Sequence, residues 1–116
     1  MNNYFYLTSN AAVQKAISER KPIAITGGIG RGKTFSYRNL LDMAASANKE
    51  YSGIDEVYTE ADTAYVNSYL NERKGQGLIF TSHIKDETVF KATFPSFTGL
   101  KIHLDAIDKA SITEIK

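Results

Sequence analysis

The chain has 116 residues, a length that fits one domain with a single hydrophobic core. Its 14 basic and 13 acidic residues leave a net charge of +1, so charge gives no indication of a nucleic-acid-binding surface, although it does not exclude one. The absence of cysteine excludes disulfides and thiolate chemistry, and without a membrane-spanning apolar run or a signal-peptide pattern we expect a cytoplasmic protein.

The first predicted elements are a helix and a short buried strand. The helix is expected to begin at Thr8 or Ser9, which can cap it, and to end near Glu19, so that residues 1–20 form a helical lead-in. Residues 22–26 are a short apolar run, which predicts a buried strand. This strand ends directly before a glycine-rich segment.

The glycine-rich segment Gly27–Thr34 reads GGIGRGKT and fits the pattern of the phosphate-binding P-loop, or Walker A motif. In that motif glycines let backbone N–H groups approach phosphate oxygens, the lysine places a charge near the β- and γ-phosphates, and the threonine offers a hydroxyl to Mg²⁺. Residues 35–47 have helical spacing, so the phosphates would lie at a helix N-terminus. The predicted nucleotide-binding residues are Gly27, Gly28, Ile29, Gly30, Arg31, Gly32, Lys33, Thr34 and Phe35. Of these, Lys33 is also predicted to be catalytic and Thr34 to be a metal ligand; the alternative is a purely structural turn.

A second nucleotide motif is indicated at Asp55-Glu56. Walker B is an apolar strand that ends in two acids, of which the first supports Mg²⁺ and the second polarises the attacking water. We therefore predict Asp55 as a metal ligand and Glu56 as the catalytic base. Before them only Tyr51 and Ile54 are strongly apolar, so the alternative is a surface loop with two solvated acids.

The next predicted elements are a helix over 60–73 and a buried strand over 78–83. Thr59 or Asp62 can cap the helix, whose buried face is expected to hold Ala64, Tyr65, Tyr69 and Leu70. The strand ends in Thr81-Ser82-His83, and ligands of open α/β sheets bind at such carboxyl ends. We predict that Ser82 or His83 contacts the γ-phosphate, with His83 in a catalytic role; the alternative is a hydrogen-bonded loop histidine.

The remaining chain predicts a short helix over 86–93, a turn, and an edge or half-covered strand over 100–104 in which His103 is exposed. Residues 21–104 would form the nucleotide-binding core and residues 105–116 a tail containing a last helix or strand. Together the elements predict an α/β fold of three layers, in which helices flank a mostly parallel sheet of four or five strands.

The order of these elements resembles the ATPase core of the AAA+ superfamily, and within it the DnaC-type helicase loaders and the IstB-type transposition ATPases. The stretches that carry the resemblance are Thr26–Thr34 for Walker A, Ile54–Val57 for Walker B, and Leu70–Arg73 with Leu78–His83 for the asparagine-arginine helix end and the sensor 1 strand. The chain departs from the family pattern at His83, where asparagine is usual. It also lacks room for the usual second strand, because only 16 residues separate Thr34 from Tyr51.

The resemblance implies that the strand over 78–82 lies between the P-loop strand and the Asp-Glu strand. It also implies Mg²⁺-dependent ATP hydrolysis coupled to DNA replication or another DNA transaction, or to assembly, with DNA or a DNA-handling protein as partner. Phage packaging and export motors use the same Walker motifs. Because we expect no lid domain, completion of the site by a neighbouring subunit of a homo-oligomer is a further hypothesis.

Two other functions are compatible with the same residues. Residues 26–33 are also similar to the P-loop of dephospho-coenzyme A kinase, which would give Asp55 the role of a base towards a substrate hydroxyl. Alternatively, the chain could bind nucleotide as an assembly subunit without turnover.

Overall fold

Alternating strands and helices of the computed structural model build one sheet with helices on both faces. The structure describes residues 7, 9–28, 32–73, 75–106 and 109–115. Within these ranges the strands are β1 (Ile23–Gly27), β2 (Tyr51–Ile54), β3 (Gly77–Ser82), β4 (Gly99–Ala106) and β5 (Lys109–Ile115), and the helices are α1 (Ala11–Ser18), α2 (Lys33–Ser46), α3 (Glu60–Glu72) and α4 (Glu87–Thr93).

The strands form a five-stranded sheet in the order β2-β3-β1-β4-β5. β1 pairs in parallel with β3 and β4, so that Thr26 is in register with Ser82 on one side and with His103 on the other. β2 is parallel to β3, and β5 is antiparallel to β4. The predicted α/β fold with a mostly parallel sheet is confirmed, as are the central position of β1 and the position of β3 between β1 and β2.

The alternation of side chains along the strands divides the core into two clusters. On one face, α1 and α2 cover Ile23 and Ile25 of β1. On the other face, α3 and α4 cover an aromatic cluster in which Phe80 of β3 is fully buried. The ring of Phe80 lies 5.0 to 6.4 Å, between centroids, from the rings of Phe90, Phe94 and Phe97.

Side-chain caps define where three of the helices begin. Thr59 accepts a hydrogen bond from the N–H of Asp62 (3.1 Å) and Asp86 accepts one from Val89 (3.0 Å). The prediction of Thr59 as a cap is confirmed. Of the two caps predicted for α1, Thr8 lies outside the described residues, and Ser9 is not the cap, because the side chain of Asn10 accepts the N–H groups of the first turn. None of the helices in the described ranges is long and apolar enough to cross a membrane.

The strand β4 differs from the sequence-based expectation, because it is an interior strand between β1 and β5 and not an edge strand. The tail forms the strand β5, so the strand alternative predicted for it is confirmed. The alternation of residues 100–104 was misleading because Lys101 is buried (5% exposed), with its ammonium 5.8 Å from the centroid of the Phe90 ring. The expectation that His103 is exposed is also wrong, since its side chain is only 20% exposed.

The buried face of α3 was also predicted only in part. Tyr69 and Leu70 are buried, but Val66 completes the stripe, and Tyr65 is 57% exposed. Ala64 is exposed as well. The spacing 66, 69, 70 is the one that faces the sheet.

We expect Phe80→Ala to destabilise the fold by about 3 to 5 kcal/mol, because it would leave a cavity at the centre of the aromatic cluster. The measurement is the free energy of unfolding from urea denaturation. Tyr65→Ala is the matched control, since it removes a ring that is mostly exposed, and it should cost less than about 1 kcal/mol. Equal costs for the two variants would contradict the described packing.

Candidate functional site

The predicted phosphate loop joins the carboxyl end of β1 to the start of α2. Ile29, Gly30 and Arg31 lie outside the described residues. At the far end of the loop, Gly32 has a φ of +82°, a left-handed conformation that glycine adopts without strain. As far as the described residues go, the first turn of α2 has no side-chain cap and no acidic residue. The positive end of the helix dipole is therefore open to an anion.

Lys33 is a buried cation at this end of the sheet. It is 8% exposed, and its ammonium donates hydrogen bonds to the carbonyl oxygens of Gly27 (2.9 Å) and Gly28 (3.1 Å). Burial lowers the pKa of Lys33; the charges of Asp55 and Glu56 oppose this shift, and Lys85 adds to it. No ion pair joins Lys33 to a carboxylate in the part of the chain that the structure describes. The two carbonyls accept two of the three N–H donors of the ammonium and do not neutralise its charge, so the position favours an incoming anion.

Asp55, which follows β2, is hydrogen-bonded to α2 and to β3. Its Oδ2 accepts a hydrogen bond from the hydroxyl of Thr34 at the start of α2 (2.9 Å), and its Oδ1 accepts one from the hydroxyl of Thr81 in β3 (2.6 Å). The structure thus brings together the two predicted metal ligands, Thr34 and Asp55. A half-buried carboxylate with both oxygens engaged is not a solvated loop acid.

The weak apolar signal before Asp55 has a structural reason. β2 is an edge strand, and on the α2 side a Cβ at Gly53 would collide with the hydroxyl of Tyr37 and lie 2.9 Å from Leu41 Cδ1. Glycine at this position allows α2 to approach the sheet closely. On the opposite face, Ser52 accepts a hydrogen bond from the hydroxyl of Tyr69 (3.2 Å). Gly53 therefore cannot carry the large apolar residue that the motif usually has, and Ser52 has a polar partner instead.

Thr81 is a site residue that the sequence analysis did not select. Besides donating to Asp55, its Oγ1 accepts a hydrogen bond from the N–H of Glu56 (2.6 Å), and its backbone oxygen accepts one from Val57 (2.9 Å). The prediction for this polar end of β3 names Ser82 and His83 instead of Thr81. The usable signal was side-chain alternation, because Thr81 shares a face with Ile79, which packs against the α1 and α2 side.

Glu56 has an unusual backbone conformation. Its φ is +62°, in the left-handed region. Arg20 (φ +56°) and Asn48 (φ +58°) share this conformation, but each directly follows a helix end, where it is common. Glu56 instead follows a strand, at a cost of about 1 to 3 kcal/mol. The hydrogen bonds of residues 56 and 57 to Thr81 hold it there and leave its carboxylate exposed.

The other predicted contacts of the γ-phosphate lie in different environments. Ser82 is buried, and its hydroxyl accepts a hydrogen bond from the N–H of Ile84 (3.2 Å). His83 is exposed and packs edge-on against Tyr58, with 4.7 Å between ring centroids. Burial raises the pKa of Tyr58, as do the nearby acids Glu56 and Asp55. His83 therefore lies on the acidic side of the site, in contact with Tyr58 rather than with Thr34. Phe35 is 56% exposed on the first turn of α2.

A second polar network lies on the other side of β1. His103 Nδ1 is 2.9 Å from the hydroxyl of Thr26, and its Nε2 is 3.4 Å from Asp105 Oδ1. The hydroxyl of Ser111 in β5 donates to Asp105 Oδ2 (3.0 Å). Burial lowers the pKa of His103; Asp105 opposes this shift, whereas Lys101 and Lys85 reinforce it. Because Thr26 directly precedes Gly27, the network ties β5 to the strand that carries the phosphate loop.

The oxygen atoms of Thr34 and Asp55 fit a magnesium ion. Mg²⁺ is usually held by one or two carboxylates together with substrate phosphates, and both groups here are hard oxygen ligands beside the predicted phosphate loop. Among the described residues there is no cluster of three or more histidine, aspartate or glutamate side chains that could hold a metal without further ligands. The donor set therefore fits a metal that arrives with phosphate.

A cleft of about 960 Å³ lies at the opposite, amino-terminal end of the parallel strands. Its lining includes Arg20, Lys49, Tyr51, Tyr69, Arg73 and Gln76. Each of the three cations directly follows or lies near a helix C-terminus, where it complements the helix dipole. The guanidinium of Arg73 lies 5.2 Å from the centroid of the Tyr69 ring. Arg73 is therefore at the wrong end of the sheet to reach the phosphate loop of its own chain.

Comparison with known proteins does not identify this site. No protein-family model matches the sequence, and no curated protein matches it. The assignment of a function therefore depends on the residues and geometry described above.

We expect Thr81→Val to destabilise the protein by about 1 to 3 kcal/mol, because it leaves the N–H of Glu56 and one oxygen of Asp55 without their partner. Thr81→Ser keeps the hydroxyl and should retain most of the stability. Urea denaturation measures both variants. If the valine and serine variants are equally stable, Thr81 does not hold the acids in place through its hydroxyl.

The environment of His103 predicts a pH-dependent stability. Because the pKa of His103 is lowered in the folded state, the unfolded chain binds more protons as the pH falls below about 6.5, and stability is lost on acidification. His103→Asn cannot titrate, so its melting temperature should fall less between pH 7.5 and pH 5.5 than that of the unmodified protein. His83→Asn controls for the loss of a histidine. Identical slopes for His103→Asn and the unmodified protein would contradict this role.

Proposed function

We propose that the chain binds ATP through residues 27–34 and hydrolyses it with Mg²⁺. The observation that carries this proposal is the 2.9 Å hydrogen bond between Thr34 and Asp55. It joins two motifs that are 21 residues apart in the sequence and that were predicted independently as Walker A and Walker B. In a P-loop ATPase these two side chains hold the same metal ion, so their contact is the arrangement that the chemistry requires.

Three further features support phosphate binding at this position. Lys33 is a buried cation without a carboxylate partner among the described residues, and the N-terminus of α2 points at the loop. The loop leaves the carboxyl end of the central strand, where open α/β sheets bind ligands. The strand order is also the one that the resemblance to AAA+ cores implies.

Each residue then has a defined role. Lys33 and the backbone N–H groups of the loop would bind the β- and γ-phosphates, and Thr34 with Asp55 would hold Mg²⁺. When bound, the metal supplies positive charge that neutralises the phosphate oxygens. Glu56, whose carboxylate is exposed, would accept a proton from the attacking water.

The proposed reaction converts ATP and water to ADP, inorganic phosphate and a proton. The water oxygen forms a bond to the γ-phosphorus, and the bond from the γ-phosphorus to the bridging oxygen breaks. The electron pair of that bond leaves with ADP. The proton of the water passes to Glu56 and from there to solvent.

Hydrolysis is better supported than transfer to a small-molecule hydroxyl. A kinase similar to dephospho-coenzyme A kinase would need Asp55 as a base, but in the proposed site Asp55 holds the metal together with Thr34. Glu56, whose carboxylate is exposed, is the better candidate for a base. Coupling of hydrolysis to DNA or to assembly is part of the proposal and is tested in the same assay.

The test is phosphate release by the purified protein with ATP and Mg²⁺, with and without single- and double-stranded DNA, together with equilibrium binding of ATP. Lys33→Ala should weaken ATP binding at least about 100-fold, and Glu56→Gln should keep binding but lower turnover about 100-fold or more. Lys91→Ala and Glu50→Gln are matched controls, because both residues are exposed and lie outside the site.

Each outcome separates the candidate functions. Turnover that rises with DNA supports a DNA-coupled motor or loader. Binding without phosphate release under any condition supports a nucleotide-gated assembly subunit, and γ-phosphate found on an added hydroxyl acceptor supports the kinase. A protein that does not bind ATP, or whose Lys33→Ala variant binds ATP as well as the unmodified chain, contradicts the nucleotide site.

A further inference from the structure

The segment that joins β3 to α4 brings a second cation to the phosphate loop. A Cβ atom at Gly28 would lie 3.6 Å from Lys85 Nζ and 3.7 Å from Lys85 Cε. The end of the Lys85 side chain therefore lies directly over the backbone at the start of the loop. This approach follows from the sheet order, because β3 is hydrogen-bonded to β1 and both strands end on the same side.

The segment is held at both ends. The hydroxyl of Ser82 accepts a hydrogen bond from the N–H of Ile84 (3.2 Å), and the side chain of Ile84 packs on the aromatic cluster. At the other end, Asp86 caps α4 by accepting a hydrogen bond from Val89 (3.0 Å). Lys85 thus extends from a short anchored connection rather than from a long loop.

The charge of Lys85 has no counterion in the described residues, where neither an ion pair nor a hydrogen bond engages its ammonium. The positive charge of Lys85 acts on neighbouring groups of the site, because it helps to lower the pKa values of Lys33 and His103. Two cations that converge on Gly28 repel each other in the free protein. A ligand with several negative charges would remove this repulsion, and a triphosphate is such a ligand.

We propose that Lys85 is a catalytic residue that contacts the terminal phosphate of ATP and completes the site within a single chain, an inference that rests on the proposed ATPase function. The transferring phosphoryl group gathers negative charge in the transition state, and a cation fixed beside it accelerates the reaction. In many ATPases an arginine supplies this charge. Here Arg73, the one arginine that follows α2 in the sequence, lies at the opposite end of the sheet.

Binding and turnover of Lys85→Ala and Lys85→Arg test this proposal, with Lys91→Ala as the matched control of an exposed lysine on α4. Lys85→Ala should lower the turnover number about 100-fold, while the affinity for ADP remains within a few-fold of that of the unmodified protein. The preference for ATP over ADP should also shrink, because only ATP carries the terminal phosphate. Lys85→Arg keeps the charge and should recover part of both properties.

The assembly of the site is tested by measuring turnover per molecule over a wide range of protein concentrations. A site completed within one chain predicts constant turnover per molecule. Turnover that rises steeply with concentration would overturn the proposal, because a neighbouring subunit would then supply the missing charge.

The outcomes also separate this proposal from the proposed function. If the unmodified protein binds ATP more tightly than ADP and Lys85→Ala keeps the same preference and turnover, Lys85 has no role and the ATP site stands. If the unmodified protein binds neither nucleotide, both proposals fail. If ATP binds without turnover, loss of the preference for ATP over ADP in Lys85→Ala supports the proposal, and retention of that preference contradicts it. Melting curves of each variant show whether a changed preference is caused by misfolding.

Discussion

The candidate site depends on one carboxylate that links three elements of the fold. Asp55 receives hydroxyl hydrogen bonds from Thr34 and Thr81, and so joins the start of α2 to the ends of β2 and β3. These bonds require β3 to lie between β1 and β2, since only then do the helix after β1 and the acid after β2 meet over the same strand. The hydroxyl of Thr81 also holds the strained backbone of Glu56, because it accepts a hydrogen bond from the N–H of that residue. One side chain in β3 therefore orders both acids.

The general fold could be predicted because its signals are local. Short apolar runs bounded by glycine or proline indicated β1 and β3, and the helical spacing between them indicated α2 and α3. The phosphate loop could also be predicted from the sequence, because its glycines, lysine and threonine have the fixed spacing of the motif. The structure adds to that reading the contact of Thr34 with Asp55, which a sequence motif alone cannot establish.

The residues that could not be predicted owe their positions to tertiary packing. Lys101 resembles a solvent-facing residue of an edge strand, but it is buried, with its ammonium over the Phe90 ring, and its strand pairs with β5. The partners of His103 depend on the interior position of β4, which places His103 next to Thr26 of β1. Lys85 lies in a polar stretch that resembles any surface connection, and its position over Gly28 follows from the pairing of β3 with β1. Each case depends on strand order, which local patterns do not encode.

The position of β2 at the edge of the sheet has a consequence for how the protein loses its organised site. β2 has four residues, its one partner strand within the described ranges is β3, and its middle residues Ser52 and Gly53 are exposed. Short edge strands open by local fluctuation at a lower free energy than the central strands of a sheet. If β2 opened in this way, Asp55 and Glu56 would lose their hydrogen bonds to Thr81, whereas the pairing of β1 with β3 and β4 does not involve β2. The two acids would then leave the site and return to it while the rest of the sheet stays folded. A ligand that bridges Thr34 and Asp55 would stabilise the pairing of β2 with β3.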